Sequence, residues 1–165
     1  MTFIETTCGR LLAIDPSLKS MGWALFGGVK ELESYGLFEG RGAEILDIGV
    51  EFVESFAEEK VRWAVIEDPQ VRGGRVGEAA LRSGSILKLS TLVGAIGGIL
   101  RSRGVDVYLV TPMQWKGNLP KRITIKRVNR NHGLGLQEVR GEHDEADAIA
   151  IGDWWWKKIH PKLSL

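Results

Sequence analysis

Two apolar runs without alternation, Leu11-Leu12-Ala13-Ile14 and Trp63-Ala64-Val65-Ile66, each stop at a carboxylate, Asp15 and Glu67. A strand with one wet face alternates apolar and polar residues, so a run that does not alternate reads as a strand buried on both faces. An acid at the C-terminal tip of such a strand stands at the sheet edge, where open α/β folds place their ligands. A third acidic station, Asp144-Glu145-Ala146-Asp147, opens an apolar, helix-like segment. The three-residue spacing of Asp144 and Asp147 shows both on one helix face. Three acidic stations able to converge suit hard divalent cations held by oxygen, and with them phosphate chemistry.

Turn residues divide the remaining chain. Segments 10–14, 21–26 and 29–38 read as strands, with Gly27-Gly28 as a hairpin turn and Gly40-Arg41-Gly42 closing the meander. Residues 43–60 carry Leu46, Val50, Val53, Phe56 and Ala57 at helical spacing, and 62–66 form the second buried strand. Pro69 and the glycines of 68–77 predict a surface loop. Residues 78–103 read as one long helix, 105–110 as a strand ended by Thr111-Pro112, 120–131 as a basic helix and 142–158 as the last helix. The order βββαβαβαα predicts an α/β fold, a five-stranded mixed sheet with helices on both faces. The 165 residues suit one domain, 1–165.

Composition excludes some classes. Cys8 is the lone cysteine, so an internal disulfide framework and a cysteine-based zinc cluster are out. No basic stretch leads into a long apolar one at the N-terminus, so no secretory leader is expected. The most apolar segment, 86–100, is interrupted by Lys88, Ser90 and Thr91 and reads as too short for a bilayer. A net charge of +1 does not announce nucleic acid, but the distribution does. Lys116, Lys121, Arg122, Lys126, Arg127 and Arg130 follow one another with no acid between, and Arg72, Arg75 and Arg82 form a weaker cluster against Glu78. Cations gathered beside carboxylates suit a polyanion held near metals. The plain alternative is two solvated surfaces.

These residues resemble a family. Leu12-Ala13-Ile14-Asp15-Pro16-Ser17-Leu18-Lys19-Ser20-Met21-Gly22-Trp23 looks like the opening motif of the RuvC-type Holliday junction resolvases. Val65-Ile66-Glu67 is similar to that family's second acidic station, and Asp144-Glu145-Ala146-Asp147-Ala148-Ile149-Ala150-Ile151 resembles its closing helix. Thr111-Pro112-Met113-Gln114-Trp115-Lys116-Gly117, followed by Lys121, is similar to its threonine/proline–lysine–lysine segment, more so in phage-encoded members.

The resemblance implies a ribonuclease H-like fold, a homodimer and Mg²⁺-dependent cutting of four-way or branched DNA in a bacterial cytoplasm or a phage-infected cell. Asp15, Glu67, Asp147 and Asp144 would hold two Mg²⁺ ions, with Mn²⁺ as a substitute and His143 as the rival to Asp144. Two ions roughly 3.5–4 Å apart would activate water and steady the departing 3′ oxygen, leaving 5′-phosphate and 3′-hydroxyl ends. Lys116 and Lys121 correspond to lysines near the scissile phosphate. Arg122, Lys126 and Arg127 would follow the backbone with Arg72 and Arg75, fixing position without reading sequence. Family members often carry an aromatic wedge after the glutamate, whereas 68–77 has none. Opening the junction then falls to arginine and backbone contacts, or to another aromatic.

Three further features keep alternatives open. Gly84, Gly94, Gly97 and Gly98 lie inside the 78–103 segment, where each costs about 1 kcal/mol relative to alanine unless another element approaches closely. A two-fold dimer contact through that helix and packing on the chain's own sheet both account for them. Trp154-Trp155-Trp156 point in three directions on a helix, so one core face cannot bury all three. Rival functions are a ribonuclease H-like nuclease on RNA or flapped DNA, a junction-binding protein without catalysis, and an actin- or sugar-kinase-like ATPase, for which the chain is short.

Overall fold

Leu11 and Ala13 lie on one side of strand β1 (Arg10–Asp15), Leu12 and Ile14 on the other, and all four are fully buried. Strand β4 (Val61–Glu67) repeats this, with Trp63 and Val65 on one face and Ala64 and Ile66 on the other. The missing alternation in both runs is therefore the signature of central strands covered twice. The structure, a computed structural model, describes residues 9–29, 31–42, 44–70, 75–139 and 142–163, and of 75–77 and 80 the backbone alone.

Strands β2 (Met21–Gly28) and β3 (Glu31–Phe38) extend the sheet on one side and β5 (Asp106–Val110) on the other, in the order β3-β2-β1-β4-β5. The meander β1-β2-β3 is antiparallel, while β1, β4 and β5 run parallel. Helices α1 (Ile45–Glu54) and α3 (Ser85–Ser102) cover one face through Phe52, Val53, Leu92, Ile96 and Leu100. Helices α5 (Lys121–His132) and α6 (Glu142–Lys158) cover the other through Val128, Ala148, Ile149, Ile151, Trp155 and Trp156. Short helices α4 (Pro112–Trp115) and α7 (His160–Leu163) follow β5 and α6. The five-stranded mixed sheet and its two helical layers agree with the predicted order.

The predicted helix 78–103 is two helices. Helix α2 (Arg75–Arg82) begins inside the predicted loop and ends before Gly84, whose φ of +68° turns the chain into α3. Apolar spacing carries across the break, so periodicity alone does not register it. The segment 43–60 likewise holds a shorter helix, 45–54, followed by turns.

By length and composition α3 is the one helix among the described residues that could cross a membrane, where the sequence reading places its apolar run below that length. Leu92, Val93, Ile96 and Leu100 nevertheless pack into the core, as in a core helix. A Cβ added at Gly97 would meet Val107 and Ile66 of its own sheet at 3.6 and 3.9 Å, whereas one added at Gly94 or Gly98 would point into open space among the described residues. Trp155 and Trp156 are both buried, in an aromatic cluster with Trp63 and His160, and Trp154 packs at its margin.

Candidate functional site

Strand parity decides where the acids go. Asp15 shares the face of Leu11 and Ala13, and Glu67 that of Trp63 and Val65, because side chains repeat every second residue. Both therefore stand on the face that α6 covers. The parallel register sets Ile14 beside Ile66, so Asp15 and Glu67 are the next step on neighbouring strands. From above, α6 lowers Asp147, 6% exposed, one turn before the buried Ile151 and two before the buried Trp155.

These carboxylates feel one another. The carboxyl of Asp15 is held well above its ordinary pKa, first by burial and then by the charges of Glu67, Asp147 and Asp144, while Lys116 opposes the shift. Four acids from three separate stretches of sequence thus share one electrostatic neighbourhood, opposed by the Lys116 ammonium. Like charges so placed cost stability, and a cation is the usual compensation.

Lys116 and Trp115 reach this centre because of a local motif. After β5, Thr111 caps α4: its hydroxyl accepts from the Gln114 N–H at 3.3 Å, and its own N–H donates to Gln114 Oε1 at 2.8 Å. Pro112 occupies the first turn, where its missing N–H costs nothing. This reciprocal cap turns the chain back over the sheet edge. Trp115 Nε1 then donates to Glu67 Oε2 at 2.7 Å, and Lys116 Nζ to Asp147 Oδ2 at 3.0 Å. That ion pair is largely buried, with side-chain exposures of 11% and 9%, and the ammonium also lies 5.0 Å from the Trp115 ring centre. Two consecutive residues thus hold acids from two different elements.

Among the described residues no three histidine, cysteine, aspartate or glutamate side chains stand close enough to grip one metal ion as they are placed. Glu67 and Asp147 each already have a protein partner, Trp115 and Lys116. The donor set is nonetheless all oxygen and carries excess negative charge around Asp15, which suits a hard divalent cation. Nδ1 of His143 is buried and, among the described residues, without a hydrogen-bond partner.

The remaining predicted residues fall into two groups. Lys121, Arg122, Lys126, Arg127 and Arg130 are exposed along α5, while Thr124, Ile125 and Val128 are its buried side. Arg72 and the side chain of Arg75 lie outside the described residues, as does Cys8. Sequence reasoning missed Trp115 as a partner of Glu67; the Thr111-x-x-Gln114 capping pattern signals only the short helix that carries it. It also missed His132, whose Nε2 lies 3.0 Å from Asp153 and ties α5 to α6.

A meander continued by two parallel strands, with helices on both faces, is the topology of a ribonuclease H-like fold. Over 90% of its length the chain is similar in structure to Thermus thermophilus RuvC, with a TM-score of 0.65, 20% identity and 95% of that chain covered. T. thermophilus RuvC in complex with a Holliday junction substrate gives 0.66 at the same identity and coverage. The fowlpox virus Holliday junction resolvase gives 0.61 at 10% identity, over 91% of this chain and 99% of that one. The chain thus shares the RuvC-type fold. No family model and no curated protein sequence matches it.

Proposed function

We propose that this chain is a metal-dependent endonuclease that resolves four-way DNA junctions by paired nicks, acting as a homodimer. The observation that carries this reading is the raised Asp15 carboxyl, ringed by Glu67, Asp147 and Asp144 at the edge of a ribonuclease H-like sheet. Structural relatives, two of them in complex with a Holliday junction, support this choice of substrate.

Asp15, Glu67 and Asp147 would hold Mg²⁺, or Mn²⁺ in its place, with Asp144 preferred over His143 as the fourth ligand because Mg²⁺ favours oxygen. When bound, the metal supplies an activated water and stabilises the departing 3′ oxygen. The chain's own residues do the rest. Trp115 fixes the direction of the Glu67 carboxylate, and Lys116 lends charge to a phosphate brought among the acids. Lys121, Arg122, Lys126 and Arg127 follow the backbone along the outer side of α5, joined by Arg72 and Arg75. Such contacts set the strand's position and carry no sequence information. The outward face of α3, with Leu87, Thr91, Gly94 and Gly98 exposed, supports a helix–helix contact between two copies. Two sites related by a two-fold axis would cut opposed strands.

The test incubates the protein with an end-labelled mobile junction and Mg²⁺, beside Asp15→Asn. Paired nicks by the parent, and binding without nicks by the variant, are expected. Normal cutting by Asp15→Asn would show the site to be wrongly assigned. Preferential cutting of a DNA–RNA hybrid or a flap would replace the junction as substrate. Tight junction binding without incision in either Mg²⁺ or Mn²⁺ would mark a binding protein.

A further inference from the structure

We propose that the groove between α4 and the start of α5 is a base-reading subsite, taking an unstacked nucleobase that adjoins the scissile phosphate. The inference rests on the nuclease reading above and adds the determinant of where along the strand the chain cuts.

The groove encloses about 620 Å³ and is lined by Gln70, Pro112, Met113, Lys116, Leu119 and Lys121, among others. That size falls within the range of small-ligand sites. It shares Lys116 with the acidic centre, since that lining residue is the one bonded to Asp147. A strand whose phosphate lies among the acids, and whose path follows Lys116 and Lys121, lays its neighbouring nucleotide on this floor.

The lining has the chemistry of a nucleotide. Its floor is apolar and stiff: Pro112 and Pro120 flank Met113 and Leu119, and Met113 is 65% exposed. Isolated exposed apolar side chains are ordinary, but here several share one concavity. A thioether chain is unbranched and polarisable, so it conforms to the face of a flat ring. The two lysines bracket the floor and suit the phosphates on either side of one base.

Gln70 supplies an edge reader. Its Nε2 donates to Asp68 Oδ2 at 3.1 Å, and the Asp68 backbone N–H donates to the Val110 carbonyl at 2.8 Å. The amide is thereby linked, through Asp68, to the end of β5. Glutamine amides recognise base edges by pairing a donor with an acceptor.

The experiment places 2-aminopurine on either side of the cut in a four-way junction and follows its emission without divalent metal, for the parent, Met113→Ala and Gln70→Ala. Cutting of junctions that differ only in the bases beside the cut is then compared in Mg²⁺. Emission should rise on binding of the parent at one of the two positions, and Met113→Ala should lose most of that rise. The parent should favour one base by about tenfold. Both variants should level that preference, with incision falling most at the favoured base. A parent that nicks every sequence equally, or variants that keep the full preference, would overturn the subsite and leave the nuclease reading intact. A parent that neither binds nor nicks any junction would overturn both.

Discussion

A Cβ added to Gly22 would stand 2.0 Å from the main-chain oxygen of Asp144. Gly22 is also the residue paired with Asp15 across the β1–β2 ladder. One bare Cα thus lets the first turn of α6 settle on the sheet beside the first acid. The obstructing atoms are backbone, at Asp144 and at Glu145, so no side-chain rotation relieves the contact. The field of Asp144 and Asp147 on Asp15 depends on this close approach.

Gly22→Ala should therefore damage the site more than its single methyl suggests. Overpacking of a tight contact costs about 1–3 kcal/mol, which thermal unfolding would register as a Tm several degrees lower. The displaced helix should also abolish Mg²⁺-dependent incision at temperatures where the variant remains folded. Full activity in folded Gly22→Ala would mean that the start of α6 is not part of the centre.

What the sequence disclosed, and what it hid, follow from range. The runs at 11–14 and 63–66 were legible because burial on both faces erases alternation, and the acids ending them stand out against apolar neighbours. The face that Asp15 and Glu67 share follows from parity alone. The break at Gly84 was hidden because apolar spacing continues through it. Helix α4 has four residues, too few for any periodicity, and only its capping pattern betrays it. The Trp115–Glu67 bond spans 48 positions, and no local rule reaches that far. Trp155 and Trp156 can both be buried because Trp63 and His160 pack around them, a second surface that a single core face does not provide.

The Trp115 indole holds Glu67 by a bond to a charged acceptor, a class of hydrogen bond worth about 1.5–3 kcal/mol. Trp115→Phe keeps most of the ring and removes the donor. Loss of a residue that orients a metal ligand typically lowers metal affinity or activity 10- to 100-fold. We expect kcat to fall about tenfold, a higher Mg²⁺ concentration for half-maximal incision, and junction binding without metal unchanged. An unaltered Mg²⁺ dependence would assign Trp115 to packing alone.

Asp15 makes a prediction about stability that needs no DNA. Its folded pKa lies above that of the unfolded chain, so the folded state holds this proton more tightly. The resulting stability is complete below the ordinary carboxylate range and is lost as pH rises through the raised value. At neutral pH without metal, the Asp15 carboxyl therefore opposes folding, because the folded chain must either crowd its charge or take up a proton. Asp15→Asn should unfold at a higher temperature than the parent at neutral pH, by about 2–4 °C for each kcal/mol recovered, and the gap should close in acid. Mg²⁺ should raise the parent's Tm at neutral pH and the variant's much less, since binding to the folded state alone stabilises it. A neutral-pH variant less stable than the parent would contradict the crowding of charge at this edge.

Lys116 tests the same field from the opposite sign. Its ammonium is the charge that lowers the Asp15 pKa, against burial and three acids that raise it, and its ion pair with Asp147 is largely shielded from water. In Lys116→Met the stem length is kept and the charge removed, so Asp15 should need a higher pH to ionise. The acid limb of the incision profile should move to higher pH, while Tm in metal-free buffer at neutral pH should fall because Asp147 is left without its partner. Raising Mg²⁺ should restore part of the lost stability, as a divalent cation takes over the neutralisation that one ammonium performs. Removing a residue that served DNA contact alone would lower incision at every pH by the same factor and leave the limb in place. Movement of the limb is what separates a lysine that tunes the acids from one that merely touches phosphate.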